Sequence, residues 1–256
     1  MIRGQGFVSI PDLRSALDVS ESTIRRDLDY LESEGEAQRT HGGVFFTGGA
    51  ASLRLFENRR SSQWEKKRQI AIEASRLIEN HDTVLLDGGS TTYELARQLV
   101  GRPLQIVTNS LPLANLFASS DQADLVLLGG YVHSRTGVSL GPYANQMLAS
   151  LNVQKAVLSI AGADQRGYYN SNLLLVETER AMMSCADQTI VVADSSKFGK
   201  SSLAKLCELK QVETVVTDDG LSDSWRTTLQ AAGVHLYVAA DQKPNTNETE
   251  DIRTTN

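Results

Sequence analysis

The sequence predicts an α/β protein in two parts. A small helical unit closed by a two-stranded hairpin comes first. A larger domain follows, with a mainly parallel sheet covered by helices. Three observations carry the prediction. The stretch VSESTIRRDLDYLESEG (19–35) holds a helix start, an apolar stripe and a stop within one helix's length. A glycine-rich reversal, RTHGGVFFTGG, comes just after it. Seven short β-branched runs, separated by helical patterns, then extend from about Lys67 to Ala240. The 256 residues suffice for a small domain plus a medium one, and 41% hydrophobic with 22% charged residues is a globular balance.

In chain order, VSIPDLRSALD predicts a short helix with Leu13 and Leu17 on one face, then a tight turn at Asp18 and Val19. Ser20 suits the N-cap of a second helix, and Glu21 adds an acid at its positive end. Ile24, Leu28 and Leu31 form one buried stripe, and Gly35 supplies the stop. At 100° per residue, Ser22, Arg26 and Asp29 lie opposite that stripe, with Arg25 on its flank. The hydroxyls of Ser20, Ser22 and Thr23 and both arginines thus sit in the first half, and the acids Glu32 and Glu34 in the second. That polarity suits a helix entering the DNA major groove by its N-terminal residues, where arginine grips guanine or phosphate with two hydrogen bonds. Arg39 and His41 open the hairpin, and Gly42-Gly43 allows its reversal. Helix, turn, helix, hairpin is the order of a winged helix-turn-helix, and these serines, Thr23, three arginines and His41 are its expected DNA-binding set. An amphipathic surface helix would share the stripe. The unit is also acidic, with five arginines, no lysine and eight acids through Thr47, so its positive charge must act locally.

Residues 48–66 read as a linker or connecting helix, and most of the basic stretch SLRLFENRRSSQWEKKRQ falls within them. Residues 67–240 carry the runs TVLLD, LQIVT, ADLVLLGG, KAVLSIAG, QTIVVAD, ETVVTD and VHLYVA. Most are near-continuously apolar, as strands buried on both faces should be. The tail 241–256 has almost nothing to bury and is expected to be disordered. Within TVLLDGGSTTYELARQL a strand ends at Asp87, Gly88 and Gly89 turn, and Ser90, Thr91 and Thr92 open a helix. Hydroxyls and N–H groups at a helix N-terminus suit a phosphate, although a plain capped turn has the same composition. Neither GxxxxGK[ST] nor GxGxxG is present. Asn109, Gly130, Asp194 and Lys197 follow other strand ends, where open parallel sheets place ligands. No apolar run approaches the length of a membrane span, and the first residues lack a signal peptide's apolar core, so a cytoplasmic protein is expected. Cys185 and Cys207 read as buried thiols. The net charge of −6 argues mildly against a nucleic-acid partner without excluding one.

The blocks STIRRDLDYLESEG and RTHGG, in this order, closely resemble the N-terminal domain of the DeoR family of bacterial transcriptional regulators. The blocks DGGSTT, TNS, LLGG, GVSLGP and ADSSKFGK resemble that family's effector-sensing domain. The resemblance implies a Rossmann-like domain similar to the sugar-phosphate isomerase and CoA-transferase fold. It implies that Asp87 to Thr92, Asn109, Gly130, Glu177, Asp194 and Lys197 line a pocket for a phosphorylated sugar or related metabolite. It further implies a homo-oligomer that binds a double-stranded DNA operator, a repressor of carbohydrate genes, with no cofactor, metal, catalytic residue or membrane contact. Three places depart from the family. Only MIRGQ stands where a first helix is usual, Glu179 stands where lysine is common, and Tyr168, Tyr169 and Asn170 replace a pattern that includes a small hydroxyl residue. The competing readings are a sugar-phosphate isomerase-like enzyme, with Asp87 or Glu177 as base, and a metabolite-binding protein that has lost DNA binding.

Overall fold

The computed structural model describes residues 7–17, 19–33, 37–40, 43–46, 59–134 and 136–240. The expected turn at Asp18, the stop at Gly35, His41, Gly42, the shortened first helix and the tail lie outside the described residues.

In the N-terminal unit, strand β1 (Phe7–Ser9) leads into helix α1 (Ile10–Leu17), and helix α2 (Glu21–Ser33) precedes strands β2 (Ala37–Thr40) and β3 (Gly43–Phe46). Ser9 starts α1 by accepting a bond from the Asp12 amide at 3.2 Å, and its hydroxyl donates to the Asp12 carboxylate at 2.6 Å. Ser20 starts α2 as the sequence predicts: its hydroxyl accepts from the Thr23 amide at 3.2 Å. The hairpin forms, and β1 joins it in the antiparallel order β1-β3-β2. Three residues are too few for β1 to carry a period-2 signal in the sequence. Ile24 and Leu28 are buried with Val8, Leu13, Ala37 and Val44, and Leu31 packs against them. Leu17 departs from expectation. It is the last residue of a two-turn helix and is 54% exposed.

The larger part is built on seven parallel strands, one from each of the seven runs: β4 (Thr83–Leu86), β5 (Gln105–Thr108), β6 (Asp124–Leu127), β9 (Val153–Ser159), β12 (Ala186–Val192), β14 (Thr214–Asp218) and β15 (His235–Ala239). Their order is β15-β14-β12-β9-β4-β5-β6. Alternate residues feed two cores. Val84, Leu86, Ile106, Ile190, Val192 and Val216 pack under helices α3 (Trp64–Ser75), α4 (Ser90–Leu99) and α5 (Leu111–Phe117). Leu85, Val107, Leu158, Val191 and Val215 pack under helices α6 (Pro142–Leu148), α7 (Leu173–Ser184) and α8 (Asp223–Ala231). Burial on both faces is what made the runs continuously apolar. Cys185 and Cys207 are free and buried in the second core.

Two small sheets have no clear sequence signal. One is the hairpin β7 (Tyr131–His133) and β8 (Val138–Leu140). The other is β10 (Gly162–Asp164), β11 (Gly167–Asn170) and β13 (Ala204–Cys207), in that order. The topology also fixes where a ligand can enter. From β4 the chain runs outward through β5 and β6, whereas β9, β12, β14 and β15 lie on its other side. The loops after β4 and β9 therefore diverge and leave a crevice at the C-terminal ends of the strands.

Candidate functional site

A cavity of about 330 Å³ occupies that crevice. Its floor is the loop after β4. Asp87 is 3% exposed, and both of its carboxylate oxygens are engaged. Oδ1 accepts from the Thr92 hydroxyl at 2.6 Å and the Gly89 amide at 3.0 Å. Oδ2 accepts from the Ser159 amide and the Ser159 hydroxyl, each at 2.9 Å. Burial pushes Asp87 above the ordinary carboxylate range, against the pull of these four bonds. The loop is closely packed: a Cβ on Gly88 would sit 1.9 Å from Val138 Cγ1, and one on Gly89 would sit 1.8 Å from Ser159 Oγ. The two glycines are thus demanded by neighbouring protein atoms, not only by a ligand's approach. Helix α4 begins directly after them, so the first-turn amides at Ser90 and Thr91, which have no intrahelical acceptor, open at the cavity wall.

The opposite wall comes from the loop after β12. Asp194 accepts from the Ser196 amide at 3.1 Å, and Lys197 faces the same space. Asp218, at the end of β14, holds this loop through the Ser195 amide at 2.6 Å and the Ser195 hydroxyl at 2.8 Å. Lys66 on α3 reaches the same carboxylate at 2.9 Å. Burial alone would raise Asp218, but these donors and the Lys66 charge outweigh it and hold the group below its ordinary range.

A third wall was not foreseen. Arg59, Ser62, Gln63 and Lys67 line the cavity, and they belong to the basic connecting stretch. Lys67 is 5% exposed and donates to the carbonyls of Arg59 and Ser62, the latter at 2.6 Å. Burial lowers its pKa, while the charge of Asp194 opposes that shift. Arg60 lies 4.5 Å above the Tyr93 ring and contacts buried Glu94 at 3.4 Å. The basic charges of the expected linker or connecting helix are therefore in part anchors against acids of the larger domain.

Of the residues expected in the pocket, Asp87, Gly88, Gly89, Ser90, Thr91, Asp194 and Lys197 line the cavity. Four are placed elsewhere. Thr92 is fully buried behind the loop and bonds Asp87. Asn109 is also fully buried and donates to Ser139 O at 3.0 Å, fastening the β7–β8 hairpin to the sheet. Gly130 has φ +149°, and a Cβ there would meet the Leu140 carbonyl at 2.8 Å, so it shapes the same hairpin. Glu177 is the clearest correction. It lies on the exposed face of α7, and the acid facing the cavity is Glu179, two residues and 200° further round the helix. Ser159 and Asn170, on β9 and β11, also line the cavity and were missed.

Glu179 is 1% exposed. Its Oε1 accepts from Asn170 Nδ2 at 2.6 Å, and its Oε2 is buried without a hydrogen-bond partner. Burial, joined by the nearby charge of Asp87, raises its pKa well above the ordinary value.

In the N-terminal unit, Ser20, Ser22, Thr23, Arg25 and Arg26 are all exposed at the start of α2. Arg25 forms a 2.7 Å pair with Glu21 one turn earlier, a solvated contact that a DNA phosphate or base can displace at little cost. Arg39 lies on β2.

Helix-turn-helix with a hairpin, followed by a sheet with a crevice at its strand ends, is the architecture of a DNA-binding regulator with a sensor. Residues 1–47 match the DeoR-like helix-turn-helix domain, and residues 62–219 match the DeoR C terminal sensor domain. The chain belongs to the DeoR family of transcriptional regulators. It is 33% identical over 240 residues to the HTH-type transcriptional regulator IolR of Bacillus subtilis, covering 93% of this chain and 95% of that one. It is 30% identical over 220 residues to the glycerol-3-phosphate regulon repressor of Escherichia coli, covering 85% and 87%. Among solved structures, ribose 5 phosphate isomerase A from Neisseria gonorrhoeae aligns over 52% of each chain with 16% identity and a TM-score of 0.39.

Proposed function

We propose that the protein is a cytoplasmic repressor of carbohydrate-metabolism genes, acting as a homo-oligomer and controlled by a phosphorylated sugar. Residues 1–47 bind operator DNA through Ser20, Ser22, Thr23, Arg25, Arg26, Arg39 and His41. Residues 67–240 bind the effector, with its phosphate at Gly88–Thr91 and Lys197 and its hydroxyls toward Asp194. One observation carries the reading. The cavity is walled by Arg59, Ser62, Gln63 and Lys67, which follow the wing in sequence, so a bound effector touches the chain that leads to the DNA-binding unit. A ligand changes DNA affinity only if it prefers one of two states, and contact with the connector supplies such a difference.

The isomerase alternative needs a carboxylate base. Of the two bases this alternative names, Glu177 lies outside the cavity, and both oxygens of Asp87 already accept hydrogen bonds, so neither is placed to take a substrate proton. Fluorescence anisotropy of the full chain on the DNA upstream of its own gene, against an unrelated duplex, tests the proposal. Preference for the upstream DNA, weakening with salt and reversed by a sugar phosphate, is the expected result. Turnover of ribose 5-phosphate, or indifference of DNA binding to every sugar phosphate tried, counts against it.

A further inference from the structure

The cavity has two chemically different sides. Lys67 and Lys197, with the first turn of α4, make one side suited to an anion. Glu179 and Asn170 stand on the other wall, on α7 and β11. We propose that Glu179 is a ligand-contacting residue that donates a hydrogen bond from its Oε2 hydroxyl to an oxygen on the uncharged body of the effector. The inference rests on the phosphorylated-sugar reading above and deepens it: the residue selects what is attached to the phosphate.

Four observations carry it. Glu179 is buried to 1% exposure yet lines the cavity. One oxygen is already fixed, because Oε1 accepts from Asn170 Nδ2 at 2.6 Å. Asn170 is itself oriented by a 3.2 Å bond to the Ser159 carbonyl, so the carboxyl plane is set by β9 and β11. The other oxygen, Oε2, is buried with no partner. A carboxyl holding one proton has one donor, and with Oε1 accepting, that donor is Oε2. Asp87 does not compete for this role. Its four acceptor positions are filled by Thr92, Gly89 and Ser159, two of them by backbone amides that can only donate. Each Asp87 oxygen accepts from a backbone amide, which only donates, whereas neither Glu179 oxygen does, so of the two acids Glu179 is the one placed to hold a proton.

The chemistry that satisfies Oε2–H is a hydroxyl, carbonyl or ring oxygen, as on a sugar or polyol. An ammonium group would instead require Glu179 to ionise beside Asp87. Glucose 6-phosphate and glucosamine 6-phosphate, identical except for a hydroxyl or an ammonium at one carbon, make the comparison direct. Ribose 5-phosphate and glycerol 3-phosphate complete the panel.

The test is titration calorimetry on the full chain and on two variants, Glu179→Gln and Glu179→Ala. Glutamine keeps the pattern, with its oxygen toward Asn170 and its N–H₂ donating into the cavity. The tightest sugar phosphate of the panel should bind Glu179→Gln within about threefold of the parent and Glu179→Ala roughly tenfold or more weakly, the size of one lost buried bond. Inorganic phosphate, which spans only the cationic side, should compete equally in all three proteins. Equal sugar-phosphate affinity in Glu179→Ala overturns the inference and leaves the effector reading standing. So does an equal loss in Glu179→Gln, or weaker competition by inorganic phosphate in Glu179→Ala. Selective binding of glucosamine 6-phosphate by the parent overturns it in favour of an ionised Glu179. If none of the panel binds the parent, the phosphorylated-sugar reading fails first, and the inference with it. Should Glu179→Ala not fold, a tenfold loss in Glu179→Gln is by itself sufficient to refute.

Discussion

Replacing Gly89 with alanine tests whether the loop after β4 is fixed by the strand beside it. An added Cβ would lie 1.8 Å from Ser159 Oγ and 2.5 Å from Ser159 Cβ. Rotating the Ser159 side chain relieves the first contact but gives up its 2.9 Å bond to Asp87, and a bond to a charged group contributes roughly 1.5–3 kcal/mol. Rotation leaves the second contact untouched, because Cβ does not move with χ1. The backbone must shift as well, and overpacking of this kind costs roughly 1–3 kcal/mol. Together these give an expected loss of about 2.5–6 kcal/mol. Urea unfolding followed by tryptophan fluorescence reads it directly, since Trp64 and Trp225 both lie in the larger part of the chain. The double variant Gly89→Ala/Ser159→Gly removes both clashing atoms and should recover part of the loss. A single variant within 0.5 kcal/mol of the parent, on the scale of an ordinary surface substitution, would refute the reasoning, because the loop would then yield freely.

Other outcomes follow from the same geometry. Arg25→Ala with Arg26→Ala should abolish preference for the operator while leaving the tryptophan unfolding transition unchanged; each lost two-pronged base contact is worth roughly 1–3 kcal/mol in anisotropy titrations. Lys197→Ala should shift ligand-induced release to higher sugar-phosphate concentration without changing affinity for DNA, and identical titration curves would remove Lys197 from the anion side. Asp218→Asn should destabilise the chain by roughly 1–3 kcal/mol at neutral pH. Because the folded pKa of Asp218 is depressed, its contribution is present above about pH 4 and is lost as pH falls through the folded value. The stability gap between parent and variant should therefore narrow on acidification, and a gap that widens would contradict the assignment.

The sheet was legible because seven continuously apolar runs mark strands covered on both faces, and local composition alone carries that signal. Asp87 to Thr91, Asp194 and Lys197 were legible for a related reason: a strand end followed by glycine or hydroxyl residues places a loop at the crevice. What stayed hidden depends on long-range placement. Ser159 and Asn170 reach the cavity because β9 pairs with β4 and the β10–β11 hairpin folds back toward the sheet. Nothing near Ser159 in the sequence announces it, and Asn170 stood out only as a departure from the family's pattern. Glu177 and Glu179 differ only in helical phase, and the helix around them is apolar on more than one side, so periodicity did not choose between them. β1, β7 and β10 are three residues each, below the length at which alternation can be recognised. The basic run around Arg59 to Lys67 has the composition of a solvated linker, and only the fold brings it against Glu94 and Asp218.

That last placement sets limits on how the protein can be taken apart. Residues 59–67 lie between the DNA-binding unit and the sheet in sequence, and Arg59, Ser62, Gln63 and Lys67 form part of the cavity wall. A sensor fragment begun after Lys67 would leave the cavity open on one side and lose the Lys66–Asp218 and Arg60–Glu94 anchors. A chimera that grafts another DNA-binding head onto this sensor should therefore be joined before Arg59. A junction placed later exchanges part of the cavity wall along with the head, and if the cavity holds the effector as proposed, the chimera's ligand preference follows the donor of the head as well as the donor of the sensor.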